Sequence, residues 1–248
     1  MRRGLRIALM ILGIVLVCST TSFVAWAEAP LGPMPEALDA LRSDATVSVA
    51  TAPWLVFTPR SRPPTTGLIF YPGARVDPRA YAPPARAIAA EGYLVVIVPM
   101  PLNLALFAPD RAEKVAQAFP AIRHWAIGGH SLGGAMACSF VHDTPGWMRG
   151  LALWAAYPQP SDTLAAQGLA VVQIDGTHDG VINRTRLAAS KDYLPPDTRQ
   201  VKIAGGNHGQ FGWYGDQPGD NPAAISRVEQ QRQVVEATLA LLHEADRR

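Results

Sequence analysis

Apolar positions along this chain fall into two textures. From Ile7 to Ala27 there are 21 residues without a charge, preceded by Arg2, Arg3 and Arg6. Beyond residue 46 the apolar residues gather into short runs bounded by Gly, Pro and polar side chains. The runs at 67–71, 93–98, 124–128, 151–155, 169–174 and 199–203 predict strands, and their lack of polar alternation predicts burial on both faces. Between them, 78–90, 111–119, 132–142 and 181–193 read as helices. A last helix is expected to be capped by Asp220 or Asn221, with Pro222 in its first turn. Its buried face is expected to carry Ile225, Val228, Val235, Leu239 and Leu242. Ahead of this series, 47–51 and 54–58 read as an antiparallel edge, followed by a turn through Pro63 and Pro64. Strands alternating with helices imply an α/β fold, a mostly parallel sheet with helices on both faces.

The first 27 residues read as a targeting segment. Ala25-Trp26-Ala27 has the small-x-small pattern of a cleavage site, and the uncharged stretch is also long enough to cross a hydrocarbon layer of ~30 Å. Residues 1–27 are therefore a signal peptide or an N-terminal membrane anchor. Cys18 follows Val17, which is larger than the small residue usual before a lipoprotein cysteine. In each case the arginines hold the N-terminus inside, so the rest of the chain faces outside the cytoplasm, secreted or anchored. Residues 28–46 read as a linker or arm, and 47–245 as one domain.

Composition narrows the partners. A chain of 248 residues that is 48% hydrophobic and 17% charged has enough apolar material for one large core. The formal charge is +2, but setting aside the three N-terminal arginines leaves 19 basic residues against 20 acidic. No basic surface for nucleic acid is expected. Outside the first 27 residues Cys138 is the single cysteine, so no internal disulfide forms, and in its apolar helix it reads as a core residue. No metal-ligand cluster, phosphate loop or dinucleotide fingerprint is present, so no metal or cofactor is expected.

In open parallel sheets, ligands gather at the carboxyl ends of the strands. The strand at 124–128 leads into Gly129-His130-Ser131-Leu132-Gly133-Gly134, a G-x-S-x-G between an apolar strand and an alanine-rich helix. A strand that reverses into a helix within a few residues leaves the serine in a strained backbone conformation with its hydroxyl projecting outward. Side chains two positions to either side would collide with that turn, hence the glycines. Ser131 is the candidate nucleophile.

Six histidines compete for the role of base. His130 adjoins the serine and is expected to point elsewhere; His124 precedes a strand, and His142 and His243 lie on helices. His178 adjoins a candidate acid. His208 lies in a glycine-rich loop after the last strand, at the same edge as the elbow, and is the candidate base. For the acid, the segment 174–180 offers both Asp175, at a strand end, and Asp179, four residues further out. Asp175 has the alternative role of tying the turn through backbone N–H bonds.

From about residue 47 to 242 the chain resembles the α/β-hydrolase superfamily, in particular the bacterial alpha/beta hydrolase fold-5 type. The resemblance rests on 68–77 with Tyr71-Pro72-Gly73-Ala74, on the elbow 129–134, and on Gly205-Gly206-Asn207-His208. It implies the α/β-hydrolase fold and a catalytic order of Ser, Asp, His, with Asp179 aligned to the family acid and His208 to its histidine. The dienelactone hydrolases of the same superfamily use cysteine where Ser131 stands.

The expected chemistry is attack by Ser131 on a carbonyl carbon, with His208 as base and Asp179 orienting it, through an acyl-enzyme. Oxyanion donors are expected from the N–H groups of Leu132 and Ala74. Only 13 residues separate Ala155 from Leu169, too few for a large lid. Leu104, Trp154 and Trp213 are candidate substrate-binding residues, beside Leu102, Leu106, Phe107, Tyr157 and Tyr214. The function expected is a carboxylic-ester hydrolase acting on a small-molecule ester, with membrane contact only through the N-terminal segment. A lactone or thioester hydrolase, an acyltransferase, and a non-catalytic binding protein are the alternatives.

Overall fold

In the computed structural model, which describes residues 2–247, eight strands form one sheet. They are β1 (Val47–Ala50), β2 (Leu55–Pro59), β3 (Thr66–Tyr71), β4 (Leu94–Ile97), β5 (His124–His130), β6 (Gly150–Trp154), β7 (Ala170–Gly176) and β8 (Arg199–Ile203). Their spatial order is β1-β2-β4-β3-β5-β6-β7-β8. β1 pairs antiparallel with β2, and β2 with β4; every pairing from β4 across to β8 is parallel. The helices are α1 (Arg2–Ala27), α2 (Pro35–Asp39), α3 (Ala82–Ala90), α4 (Arg111–Ala118), α5 (Leu132–Asp143), α6 (Arg184–Ala189) and α7 (Arg227–Arg247).

Because successive side chains of a strand point to opposite faces, the unbroken apolar runs feed two cores at once. Leu68, Phe70, Val95, Ile97, Ala152, Trp154, Val172 and Ile174 face α3 and α7. Their sequence neighbours Ile69, Tyr71, Val96, Ile127, Leu151, Leu153 and Val171 face α4 and α5. Cys138 is fully buried in the second core. The outer strand β8 keeps Arg199, Gln200 and Lys202 in or near solvent, charges that discourage pairing along an open edge.

The strand order reverses at β3. The chain leaves β3 for α3 on one face and leaves β5 for α5 on the other, although β3 and β5 are neighbours. Loops departing in opposite directions open a crevice at the carboxyl ends of these strands.

Three expectations are corrected. Residues 28–46 are not a free linker. Leu31 bridges to Val76, the Met34 N–H donates to Trp213 O at 2.8 Å, and Ala37 is fully buried. Leu31, Ala40 and Leu41 pack against the α3 core, an apolar contribution hidden by the Pro-rich and acidic composition around them. The helix expected over 181–193 is shorter, with α6 followed by a 3-10 turn at Ser190–Tyr193.

The last helix starts at Arg227 rather than near Asp220, and Ser226 Oγ accepts the Glu229 N–H at its start. Its fully buried residues include Val234, Thr238, Leu241, Leu242 and Ala245, whereas Val228 is 67% exposed. Of the expected face only Leu242 is fully buried, with Val235 and Leu239 at its margin. The small residues win because they let α7 approach closely enough for the Trp154 indole N–H to donate to Thr238 Oγ1 at 3.1 Å.

This rotated face has a measurable consequence. Leu241→Ala is expected to lower unfolding free energy by about 2–5 kcal/mol, and Val228→Ala to change it by less than about 0.5 kcal/mol. Urea titration of the two variants checks the assignment.

Candidate active site

Ser131 sits at the junction of β5 and α5 with φ 51° and ψ −121°, a conformation unfavourable for any residue with a Cβ. The turn is held from below: the Ser131 N–H donates to Trp154 O at 2.9 Å. Close packing explains the flanking glycines. A Cβ on Gly129 would lie 2.4 Å from the Gly133 carbonyl carbon, and one on Gly133 would lie 2.2 Å from Tyr71 O. Neither backbone can yield, so G-x-S-x-G here is a packing requirement at the point where β3 and α5 touch.

Asp179 and His208 arrive from the loops after β7 and β8, which run side by side with Gly176 paired to Ile203. His208 Nδ1 lies 2.8 Å from Asp179 Oδ2, and both side chains are almost fully buried. Asp179 Oδ1 accepts the N–H groups of Val181 and Ile182, each at 2.8 Å. Burial pushes this carboxyl up. The His208 hydrogen bond and charge, with the two backbone donors, outweigh burial and hold it below the ordinary aspartate value.

Asp175 has a different environment. It pairs with Arg184 Nη1 at 2.9 Å and has no bond to His208. Burial raises its pKa in spite of that arginine. Of the two carboxylates left open by the spacing, Asp179 is the one brought to the imidazole.

Ser131 and His208 line one cavity of about 270 Å³. Its walls include Leu132, Ala135, Ala156, Tyr157, Val181 and Ile182. With Nδ1 committed to Asp179, Nε2 is the His208 nitrogen left for the cavity. Among the described residues Ser131 Oγ has no hydrogen-bond partner. Leu132 opens α5, so its N–H is one of the helix-start donors without an intrahelical acceptor.

In the loop after β3, Gly73, Arg75 and Val76 donate to Tyr81 Oη, Asn103 O and Gly73 O at 3.0, 2.8 and 3.2 Å. Ala74 therefore keeps the only N–H of residues 73–76 without a partner among the described residues. It lies outside the cavity lining, half-buried on the adjacent loop.

The expected substrate-binding residues do not reach this cavity. Trp154 is buried against Phe70 and Thr238 under α7, because alternation along β6 turns it to the α3/α7 core. Trp213 lies in a separate groove with Pro83, Pro84 and Val228, held by Arg227 stacking and by its N–H bond to Ala80 O. Leu104 is buried in the loop after β4. Among the expected aromatic residues, Tyr157 is the one in the cavity wall.

Three supporting residues escaped the sequence reading. His130 points away from the cavity, as expected: alternation along β5 carries it to the α3/α7 face, where the His208 loop also lies. Its ring stands 4.4 Å from that of His208 and stacks on Phe211 at 5.5 Å. His130 Nδ1 lies 2.8 Å from Tyr81 Oη. Tyr81 Oη also accepts the Gly73 N–H, so one hydroxyl ties the loop after β3 to the His130 ring. Burial, and then the nearby His208 charge, push the His130 pKa well down, so the ring is neutral. Asp220 ties the two functional loops together, accepting the Gly180 N–H and the Gly209 N–H at 2.8 Å each. A helix cap is the role its sequence suggests, and only three dimensions reveal the other one.

The profile of the alpha/beta hydrolase family matches residues 67–232, more than half of the chain. The chain belongs to the alpha/beta hydrolase family. No curated protein matches this hydrolase by sequence. Among solved structures it is similar to a thermophilic esterase of the planctomycete Thermogutta terrifontis with propionate bound. That pair shares 13% identity, with 81% of this chain and 94% of the other covered, at a TM-score of 0.59. The same esterase phosphorylated by paraoxon aligns at 14% identity over 79% and 93%, with a TM-score of 0.57. An esterase domain from Rhodothermus marinus aligns at 12% identity over 75% and 90%, with a TM-score of 0.58. At such identities the likeness shows the fold, an α/β-hydrolase sheet with helices on both faces.

Two outcomes follow for this hydrolase. Tyr81→Phe leaves the Gly73 N–H and His130 Nδ1 unpaired inside the protein, and should cost about 1–3 kcal/mol of stability in urea titration. The Asp179 carboxyl is depressed in the folded state, so the stability it confers is complete above about pH 4 and disappears as pH falls further. Acid titration of stability should therefore be less steep in Asp179→Asn than in the parent chain.

Proposed function

We propose that this chain is a serine esterase, cleaving small carboxylic esters by way of an acyl-enzyme on Ser131. The observation that carries the reading is the buried Asp179–His208 pair at 2.8 Å, opening into the same cavity as a serine with φ 51°. Backbone strain at a residue this well packed is usually a functional feature.

In the proposed reaction, neutral His208 takes the Ser131 proton at Nε2 while Oγ attacks the carbonyl carbon. Asp179 fixes the tautomer by accepting from Nδ1 and stabilises the imidazolium that forms. The N–H groups of Leu132 and Ala74 receive the negative oxygen; loss of one such donor costs roughly 10²- to 10³-fold in turnover. The imidazolium returns its proton to the departing alcohol, and a water activated by the same ring releases the acid. Val181 and Ile182 serve twice, since their N–H groups hold Asp179 and their side chains line the cavity. A cavity of about 270 Å³, walled in part by Leu132, Ala135, Ala155, Ala156, Val181 and Ile182, suits a short acyl chain. The neighbouring Thermogutta terrifontis esterase, seen with propionate bound and phosphorylated by paraoxon, supports an ester substrate and a nucleophile open to organophosphates. The arginines at the start of α1 support a catalytic domain that faces outside the cytoplasm.

A fluorophosphonate probe should label the parent chain on Ser131. Ser131→Ala and His208→Ala should abolish labelling while circular dichroism stays unchanged, and Asp179→Asn should reduce turnover by about 10⁴-fold. Acetyl and butyryl aryl esters should be cleaved faster than palmitoyl ones. A labelled Ser131→Ala variant, or a larger loss from Asp175→Asn than from Asp179→Asn, contradicts the assignment.

A further inference from the structure

The C-terminal end of α1 is gripped by the domain. The guanidinium of Arg75 donates to Trp26 O at 2.7 Å and to Ala29 O at 2.6 Å, and lies 4.3 Å above the Trp26 ring. Asn103 Nδ2 donates to Ala27 O at 3.0 Å, and Ala27 is fully buried. The Trp26 and Ala27 oxygens are terminal carbonyls that a helix leaves without partners, and a cation is favoured beside them.

The grip is built from strained backbone. Arg75, Leu102 and Asn103 have φ of 54°, 52° and 53°, and the Arg75 N–H donates to Asn103 O. Side chains with a Cβ disfavour this region, so two loops are bent to present Arg75 and Asn103 to one helix end. Immediately downstream, Leu31 bridges to Val76 and accepts the Asp77 N–H.

The rest of α1 is bare. The 24 residues Gly4–Ala27 are apolar enough to cross a membrane, and every one of them before Ala27 is exposed. Those residues extend about 36 Å as a helix, against a hydrocarbon core of ~30 Å. Where the helix meets the domain, Phe107 makes an edge contact with Phe23 at 6.3 Å. Leu106 and Phe107 are each 47% exposed there, and Trp26 is 50% exposed. Apolar loop residues and a tryptophan at one end of a spanning helix are what a membrane interface accommodates.

We infer that α1 is retained as a membrane anchor and that the domain rests on the outer bilayer surface through Leu106 and Phe107 beside Trp26. The surface is continuous with the spanning helix, which names its occupant as lipid. Ala74 is the sequence neighbour of Arg75, so the loop proposed to stabilise the oxyanion is clamped to the anchor at its next residue.

The test uses the full chain in phosphatidylcholine–phosphatidylglycerol vesicles, with Cys18→Ser so that an introduced cysteine is the accessible thiol. Phe107→Cys and, as a distant control, Val228→Cys are labelled with an environment-sensitive fluorophore. The inference expects a blue-shifted emission at position 107, with quenching by bromolipids several times greater than at position 228. Protein extracted from membranes should retain residues 1–27 by intact mass. An N-terminus at Glu28 overturns retention. A water-exposed probe at 107 overturns the surface, including the case in which α1 is covered by a second copy. Neither readout requires catalysis, so loss of the esterase reading leaves this one standing, and the converse.

Discussion

The reversal of β5 into α5 within a single residue is the constraint on which the rest of the site depends. Ser131 occupies φ 51°, and nothing intrinsic to serine favours that value. It persists because the surroundings leave no alternative: its N–H is fixed to β6, and the Gly133 backbone is pressed against the carbonyls of Tyr71 and Pro72. The same contacts that enforce the strain bring the start of α5, with Leu132, into the cavity wall. In the proposed reaction, nucleophile geometry and stabilisation of negative charge would therefore come from one packing solution.

Around that point, chain segments distant in sequence are held by polar ties rather than by core packing. Asp220 spans the loops that carry Asp179 and His208, and Asp179 is itself gripped by the backbone of the cavity wall. On the opposite side Tyr81 joins the loop after β3 to His130, whose ring abuts His208. The imidazole is thus positioned from two directions, by an acid at Nδ1 and by an aromatic floor. That floor is neutral because it is buried, which spares His208 a like charge at close range.

Much of this was legible in the sequence, for identifiable reasons. Unbroken apolar runs between helical stretches specify a parallel sheet covered on both faces, and the six central runs lie where their strands do to within a few residues. Gly129 and Gly133 announce the elbow because only a close backbone approach demands glycine at both positions. The failures share a cause. Trp154 was misjudged, and the place of His130 beside His208 went unseen, because motif spacing does not state which face of a strand a residue takes, although alternation along β5 and β6 carries that signal. The arm at 28–46 and the start of α7 were misjudged because composition ranks Pro and acidic residues as solvent-exposed. Here Leu31 and Ala37 are docked, and Asp220 is used as a loop tie. Choosing Asp179 over Asp175 by spacing alone was not possible; Arg184 occupies Asp175, and that pairing exists only in the fold.

A crystal structure of the chain carrying a phosphonate ester bonded to the nucleophile tests the central claim most directly, since the phosphoryl oxygen stands in for the oxyanion of the reaction. The account predicts a bond to Ser131 Oγ, that oxygen about 2.7–3.1 Å from the N–H groups of both Leu132 and Ala74, and His208 Nε2 within hydrogen-bond reach of Oγ. An adduct on another residue contradicts it, as does a phosphoryl oxygen turned away from both N–H groups or an imidazole that stays out of reach.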